Sequence, residues 1–346
     1  MTLPLNNAQR YVPEAINGDF RGKHIVTVEQ FAPDDMDSLF KSAARMRTRV
    51  QRGDRGLVDL CLGKVMATLF FEASTRTDMS FQAAMLRLGG EVISTSGGVQ
   101  FSSVYKGENL ADTVRAVGCY ADVVVLRHPE VRSSYEAAYY LDRLNERLGT
   151  HPVVVSGGDG VGEHPTQALL DLFTIADIKG SLDNLKITLV GDLLYGRTVH
   201  SLAKLIALHG AVNTTLAFVS PEMLKMPPAV MSFLKSRDIA VYETQQLDEV
   251  IGDSDVIYWT RIQEERFPLR ADYEAIADQF IVTPATMARA SDKAILMHPL
   301  PRKHEMGTQA DHDVLDADQR SVYFQQMANG MYMRMALLAK VLGAER

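Results

Sequence analysis

The sequence predicts an α/β protein. Two doubly wound parallel-sheet domains are joined by interdomain helices, and a C-terminal helix packs back on the first domain. Three observations lead to that class. Short apolar runs alternate with helical stretches along most of the chain, the pattern of parallel strands linked by crossover helices. There are about nine or ten such runs, too many for one compact unit of 346 residues. Six of the runs lead straight into polar clusters that hold arginine or histidine, and open parallel sheets bind ligands beyond the carboxyl ends of their strands.

The first run, Val65 to Phe71, precedes Ser74-Thr75-Arg76-Thr77. The helix expected over Thr77 to Leu88 closes at Gly89-Gly90, where glycine tolerates a left-handed cap. Further helices are expected over Glu108 to Tyr120 and over Tyr135 to Leu148. The stretch Arg132 to His151 reads as a surface helix. Between them Val123 to Leu126 forms a strand before Arg127-His128. Val153 to Val155 is the next strand, before Gly157-Gly158-Asp159-Gly160. A helix from His164 to Ile178 has Pro165 in its first turn, where the missing amide donor costs nothing. With Lys179-Gly180-Ser181 after it, that helix reads as the link between domains 1–165 plus 322–346 and 166–321.

In the second domain Ile187 to Val190 leads into Gly191-Asp192, and Arg197 to His209 is helical. Thr215 to Val219 and Val256 to Trp259 are strands, the latter before Thr260-Arg261. Ile295 to Met297 is a strand before His298-Pro299-Leu300-Pro301-Arg302. The final helix, Tyr323 to Leu342, sets Met327, Met331, Met335, Leu338 and Leu342 at helical spacing.

An apolar content of 46% supports two real cores. No apolar run approaches the ~20 residues that span a bilayer, so no membrane partner is expected. Met1 to Gly18 is polar and carries no secretory pattern. Cys61 and Cys119 both sit in apolar sequence and read as buried free thiols, which fits a reducing, cytoplasmic compartment. A net charge of −7 argues against a nucleic-acid partner. Histidines and cysteines do not pair at zinc-ligand spacing, so neither metal nor cofactor is expected.

The local cations point instead to a small anion. Ser74, Thr75, Arg76 and Thr77 stand at a helix start, where outward amides and the helix dipole favour negative charge. Capping alone needs one hydroxyl and does not need Arg76. His164 and Gln167, three apart, share one helix face. Gly191 to Arg197 is not a G-x-G-x-x-G fingerprint, so a nicotinamide dinucleotide is excluded. Arg197 at a helix start suits a carboxylate, which its planar fork matches. The loop Ser102 to Glu108 carries a lysine, Lys106, that on sequence alone reads as solvated.

Taken together, these motifs closely resemble the aspartate/ornithine carbamoyltransferase family, and within it the aspartate enzymes. The stretches that carry the resemblance are Phe70 to Thr77, Lys106 to Thr113, Arg127-His128-Pro129 and Gly158 to Asp171. It continues through Gly191 to Ser201, Thr260 to Gln263 and His298 to Arg302, and covers roughly residues 22 to 343. The resemblance implies carbamoyl transfer from carbamoyl phosphate to the amine of L-aspartate, without a covalent intermediate. By the same resemblance Ser74, Thr75, Arg76 and Thr77 hold the phosphate, and Thr77, Arg127 and His164 polarise the carbamoyl oxygen. Gln167 and the Pro299 carbonyl would hold the carbamoyl amide. Arg127 and Arg197 would take the α-carboxylate, Arg261 and Gln263 the β-carboxylate, and the Leu300 carbonyl the amine. Ser102 and Lys106 would enter the site of a neighbouring subunit, which implies a homotrimer with shared active sites. Regulatory chains or a larger assembly are left open.

The chain departs from the family pattern at Ala73 and Asp78, where proline and a second arginine are usual, and mildly at Gly162-Glu163. An acid at position 78 weakens anion binding unless it pairs with a cation or faces away. Ornithine carbamoyltransferase is the nearest rival, but Pro299 stands where that enzyme has a cysteine, and Arg261 would repel an ornithine ammonium. A catalytically silent assembly partner would have lost anion-binding residues, and here all are present.

Overall fold

A computed structural model describes residues 8, 10–95, 107–267, 269–276, 279–303, 305–307, 311 and 313–345. The chain divides into two compact units, Met1–Leu170 with Asn329–Arg346, and Asp171–Ala328.

The first unit contains α1 (Pro33–Gln51), β1 (Val65–Phe70), α2 (Thr75–Arg87), β2 (Glu91–Ser94), α3 (Leu110–Gly118), β3 (Val123–His128), α4 (Ser133–Leu148) and β4 (Val153–Asp159), then the start of α5 (Pro165–Lys179). Its sheet is parallel, in the order β2-β1-β3-β4. Val123 to Leu126 and Val153 to Val155 are buried throughout, as strands covered by helices on both faces must be. β1 leads to β2 on one side and β3 to β4 on the other, so the strand order reverses between β1 and β3. A ligand crevice opens at such a switch point.

Helix α4 presses Ala137, Ala138 and Leu141, all fully buried, against Val124, Leu126 and Val154. The stretch from Arg132 to His151 is therefore a crossover helix with a core face and not the expected surface helix. β4 also outruns its apolar stretch, because Ser156, Gly157, Gly158 and Asp159 continue as buried strand residues. Cys61 is buried, which lifts its thiol pKa to about 11, whereas Cys119 ends α3 at the surface, contrary to expectation.

The second unit contains β5 (Lys186–Val190), α6 (Arg197–His209), β6 (Thr215–Val219), α7 (Pro228–Lys235), β7 (Ala240–Thr244), β8 (Val256–Trp259), α8 (Arg270–Glu274), α9 (Pro284–Met287) and β9 (Ile295–Met297), then the start of α10 (Tyr323–Val341). Its parallel order is β7-β6-β5-β8-β9, with the switch between β5 and β8. Among the described residues the two sheets have nine strands.

Helices α5 and α10 each run from one unit into the other. Past Asn329, α10 joins the first unit, where Met333, Met335, Ala336, Leu337 and Leu338 are fully buried. Burial there goes nearly all round the helix, so the expected stripe beginning at Met327, which is exposed, is not what decides the packing. Arg334 lies over the Phe81 ring at 4.9 Å, and the Gly22 amide donates to the Val341 carbonyl at 2.9 Å. Among the described residues no helix is long and apolar enough to cross a membrane.

Candidate active site

Each unit presents one group of the expected residues at its own switch point. In the first unit, β1 ends at Phe70 and α2 begins at Thr75 with Ser74 at the N-cap. The Ser74 side chain makes no capping bond, so the cap does not account for the hydroxyl. Thr75 and Arg76 are exposed on the first turn, while Thr77 is buried. Such a turn presents amides, a hydroxyl and a guanidinium at the positive end of a helix.

Thr77 Oγ1 lies 3.5 Å from Nε2 of buried His164. The His164 carbonyl accepts from the amides of Gln167 and Ala168 at 3.0 and 3.1 Å, which seats the histidine at the mouth of α5. Arg127, next to last in β3, is buried. Its Nη1 donates to the Gly157 carbonyl at 3.1 Å, and its Nη2 stands 3.1 Å from the Glu72 carboxylate. Two partners, one in β4 and one just after β1, fix the plane of that guanidinium. Burial lowers the pKa of neighbouring His128. Asp78 is buried and accepts from Gln82 Nε2 at 2.8 Å, one turn further along α2. Ser102 and Lys106 lie outside the described residues.

In the second unit, Gly191 follows β5 with φ of +115°, and a Cβ on it would stand 2.3 Å from the Thr260 carbonyl oxygen. Glycine is required for the two loops to come this close. Asp192 is fully buried, and burial raises its pKa against the opposing pull of backbone amides. One of its oxygens accepts from the Tyr195 amide at 2.9 Å. The other faces the backbone and side-chain N–H groups of Gln263 at 3.4 and 3.5 Å. Asp192 thus ties the loop that carries Arg197 to the loop that carries Arg261 and Gln263. Arg197, half-buried, opens α6. Three residues on, buried His200 donates from Nε2 to the Leu193 carbonyl at 2.7 Å, and burial depresses its pKa.

After β9 the chain passes through His298, Pro299 and Leu300, and Leu300 takes a left-handed φ of +55°. A non-glycine residue holds that conformation only where its surroundings impose it. Here the Leu300 amide donates to His298 Nδ1 at 2.9 Å, and the His298 amide donates to Gln326 Oε1 at 3.0 Å. Gln326 Nε2 in turn donates to Asp171 at 2.6 Å, and Tyr258 donates to the other oxygen of Asp171 at 2.7 Å. His298 Nε2 faces Glu305 at 3.0 Å. Burial pushes the Glu305 carboxyl up, but the bond to His298, the charge on that ring and nearby backbone amides together hold the pKa below the usual range. Arg302 is taken up by Asp316 and Tyr323.

The supporting acids Glu72, Asp171, Asp192 and Glu305 had no role in the sequence reading. Asp171 left the clearest signal, a lone carboxylate in the apolar run Ala168 to Phe173.

Two parallel sheets whose switch points carry arginine, histidine and hydroxyl groups define an α/β protein of the doubly wound class, with candidate anion sites beyond its strand ends. The carbamoyl-phosphate-binding domain model of aspartate/ornithine carbamoyltransferases matches residues 23–177, and the aspartate/ornithine-binding domain model of the same enzymes matches residues 183–341. The catalytic subunit of aspartate carbamoyltransferase from Methanocella arvoryzae is 42% identical over 328 residues, which is 94% of this chain and 99% of that one. The multifunctional protein CAD of Squalus acanthias is 48% identical over 98% of this chain, and the chain spans 14% of its length. Aspartate transcarbamoylase from Trypanosoma cruzi, solved with N-(phosphonacetyl)-L-aspartic acid, superposes with a TM-score of 0.83 at 42% identity, covering 93% of this chain and 97% of that one. This chain belongs to the aspartate/ornithine carbamoyltransferase family.

Proposed function

We propose that the chain transfers the carbamoyl group of carbamoyl phosphate to the amine of L-aspartate. The products are N-carbamoyl-L-aspartate and phosphate, and the reaction is an early step of de novo pyrimidine biosynthesis. The observation that carries this reading is the buried pair Thr77 and His164, with Thr77 on the first turn of α2 where a phosphate-type loop opens the helix. As the amine attacks, charge builds on the carbamoyl oxygen. Donors fixed before the reaction stabilise that charge at no reorganisation cost.

In this reading Ser74, Thr75, Arg76 and Thr77, with Ser102, take the phosphate, and Thr77, Arg127 and His164 take the carbamoyl oxygen. Gln167 and the Pro299 carbonyl hold the carbamoyl amide. Arg127, Arg197, Arg261 and Gln263, with Lys106, receive the two carboxylates of aspartate. The Leu300 carbonyl directs the amine, and its constrained backbone supports that role. The carbon–nitrogen bond forms as the carbon–oxygen bond breaks. The departing phosphate takes the proton lost by the amine and leaves as the hydrogen phosphate dianion held by Arg76, so the transfer needs no covalent enzyme intermediate.

The active form is a homotrimer in which Ser102 and Lys106 complete a neighbour's site. Met79 and Leu86, seven apart on α2, are both exposed, and such an apolar stripe suits a subunit contact. The multifunctional relatives support a larger assembly, and the cell compartment proposed is the cytoplasm.

Initial rates at fixed carbamoyl phosphate, with L-aspartate and L-ornithine as alternative acceptors, test the reading. Saturable carbamoylation of aspartate alone is expected. Turnover with ornithine alone, or with neither, overturns it. Light scattering tests the trimer separately.

A further inference from the structure

The short segment Gly160 to Glu163, between β4 and His164, is held from two directions by carboxylates. Asp159, buried at the end of β4, accepts from the Glu163 amide at 2.7 Å with one oxygen. Its other oxygen accepts from the Arg132 amide at 2.6 Å, at the start of α4. The backbone closes the same turn, with Gly162 donating to the Asp159 carbonyl at 2.8 Å and Asp159 donating to the Glu163 carbonyl at 3.2 Å. A Cβ on Gly162 would stand 2.7 Å from the Asp159 carboxylate, so glycine is needed for that approach.

Glu163 then reaches in the other direction. A single carboxylate oxygen accepts from Thr27 Oγ1 at 3.0 Å and from the Val28 amide at 2.9 Å. Thr27 is buried, and its strand-like neighbour Ile25 is laced to β4 through the bonds Ile25 to Val154 at 2.8 Å and Ser156 to Ile25 at 2.7 Å. The N-terminal segment and the His164 turn are thus joined by a charge-assisted pair of bonds, which are stronger than neutral ones. The next residue along is His164, whose Nε2 faces Thr77.

We infer that Glu163, through its grip on Thr27 and Val28, is a positioning residue that sets the His164 imidazole against Thr77. The inference rests on the proposed carbamoyl transfer only where activity is read. The Glu163 carboxylate is bonded to residues 27 and 28, so its role is to position and not to react. Losing the grip lets the His164 turn drift, and displacements near 1 Å at a reacting group cost on the order of 10²-fold in rate.

The test compares Glu163→Ala, Glu163→Gln and Thr27→Val in the full chain, each also in a His164→Asn background. Glu163→Ala is expected to lower kcat by ~10²-fold with the KM for aspartate little changed. Glu163→Gln keeps an acceptor oxygen and is expected to restore most of the rate. In the His164→Asn background the alanine change is expected to add nothing. NMR of Cε1-labelled histidine reads the same point without substrate, and the His164 line should shift in Glu163→Ala and return in Glu163→Gln. An unmoved His164 line in Glu163→Ala overturns the inference, as does a full penalty that persists without His164. If the wild-type chain lacks carbamoyl transfer while the His164 line still responds, the positioning role stands and the proposed function falls.

Discussion

The carboxylate of Asp192 faces both the backbone and the side-chain N–H of Gln263, across 71 positions of sequence. A buried acid whose pKa is raised by burial is costly unless amides surround it, and here they do. The arrangement makes Asp192 the tie between two loops assigned to aspartate. Asp192→Ala is expected to raise the KM for aspartate about 10-fold or more, the scale of one or two lost buried hydrogen bonds. Binding of carbamoyl phosphate alone, read by calorimetry, should change little. An unchanged aspartate KM contradicts the tie.

His164 and Thr77 meet inside a single unit, so their role is open to a direct measurement. Removing one preorganised donor to a developing oxyanion typically costs ~10²–10³ in kcat. His164→Ala is expected to fall in that range and Thr77→Val near its lower end, with circular dichroism unaltered. Steady-state kinetics on the pair and on the double variant would show less than additive losses if both address one oxygen.

Arg76 is exposed on the first turn of α2, so its loss leaves no cavity. Arg76→Ala should therefore unfold at the wild-type urea midpoint yet lose nearly all use of carbamoyl phosphate. Mixing it with Lys106→Ala, which is expected to be inactive alone, should regain part of the activity, because hybrids of the proposed trimer would rebuild some intact shared sites. No recovery after subunit exchange would mean that each subunit works alone.

Acid should weaken the fold in a window set by two histidines. His128 and His200 both have pKa values pushed below the ordinary 6.5 by burial. Their stabilising neutral forms are fully present above about 6.5, and below it the unfolded chain takes up protons that the folded chain refuses. Unfolding free energy should accordingly fall as pH drops from 6.5 toward 5. His200→Asn should flatten part of that slope, and urea midpoints across the range provide the check.

Much of the fold was legible because parallel strands buried on both faces leave continuous runs such as Val123 to Leu126. The strands Thr215–Val219, Val256–Trp259 and Ile295–Met297 have the limits the sequence suggested. Where the reading failed, packing overrode local pattern. β4 extends through two glycines that no propensity favours, and α10 is buried on nearly every side, so its apolar stripe carried little information. The residues proposed to bind the anions were readable because cations after apolar strands are rare and conspicuous. Their supports were not. Asp192 and Glu305 look like ordinary surface acids until the fold removes them from water.

The passage of Asn329–Arg346 back into the first unit has a consequence for how the molecule is made. On the ribosome the second unit's entire sequence emerges before the segment that seals the first. The unit whose strands emerge first is thus the last to close, with the Phe81 ring waiting for Arg334 until the whole second unit has emerged.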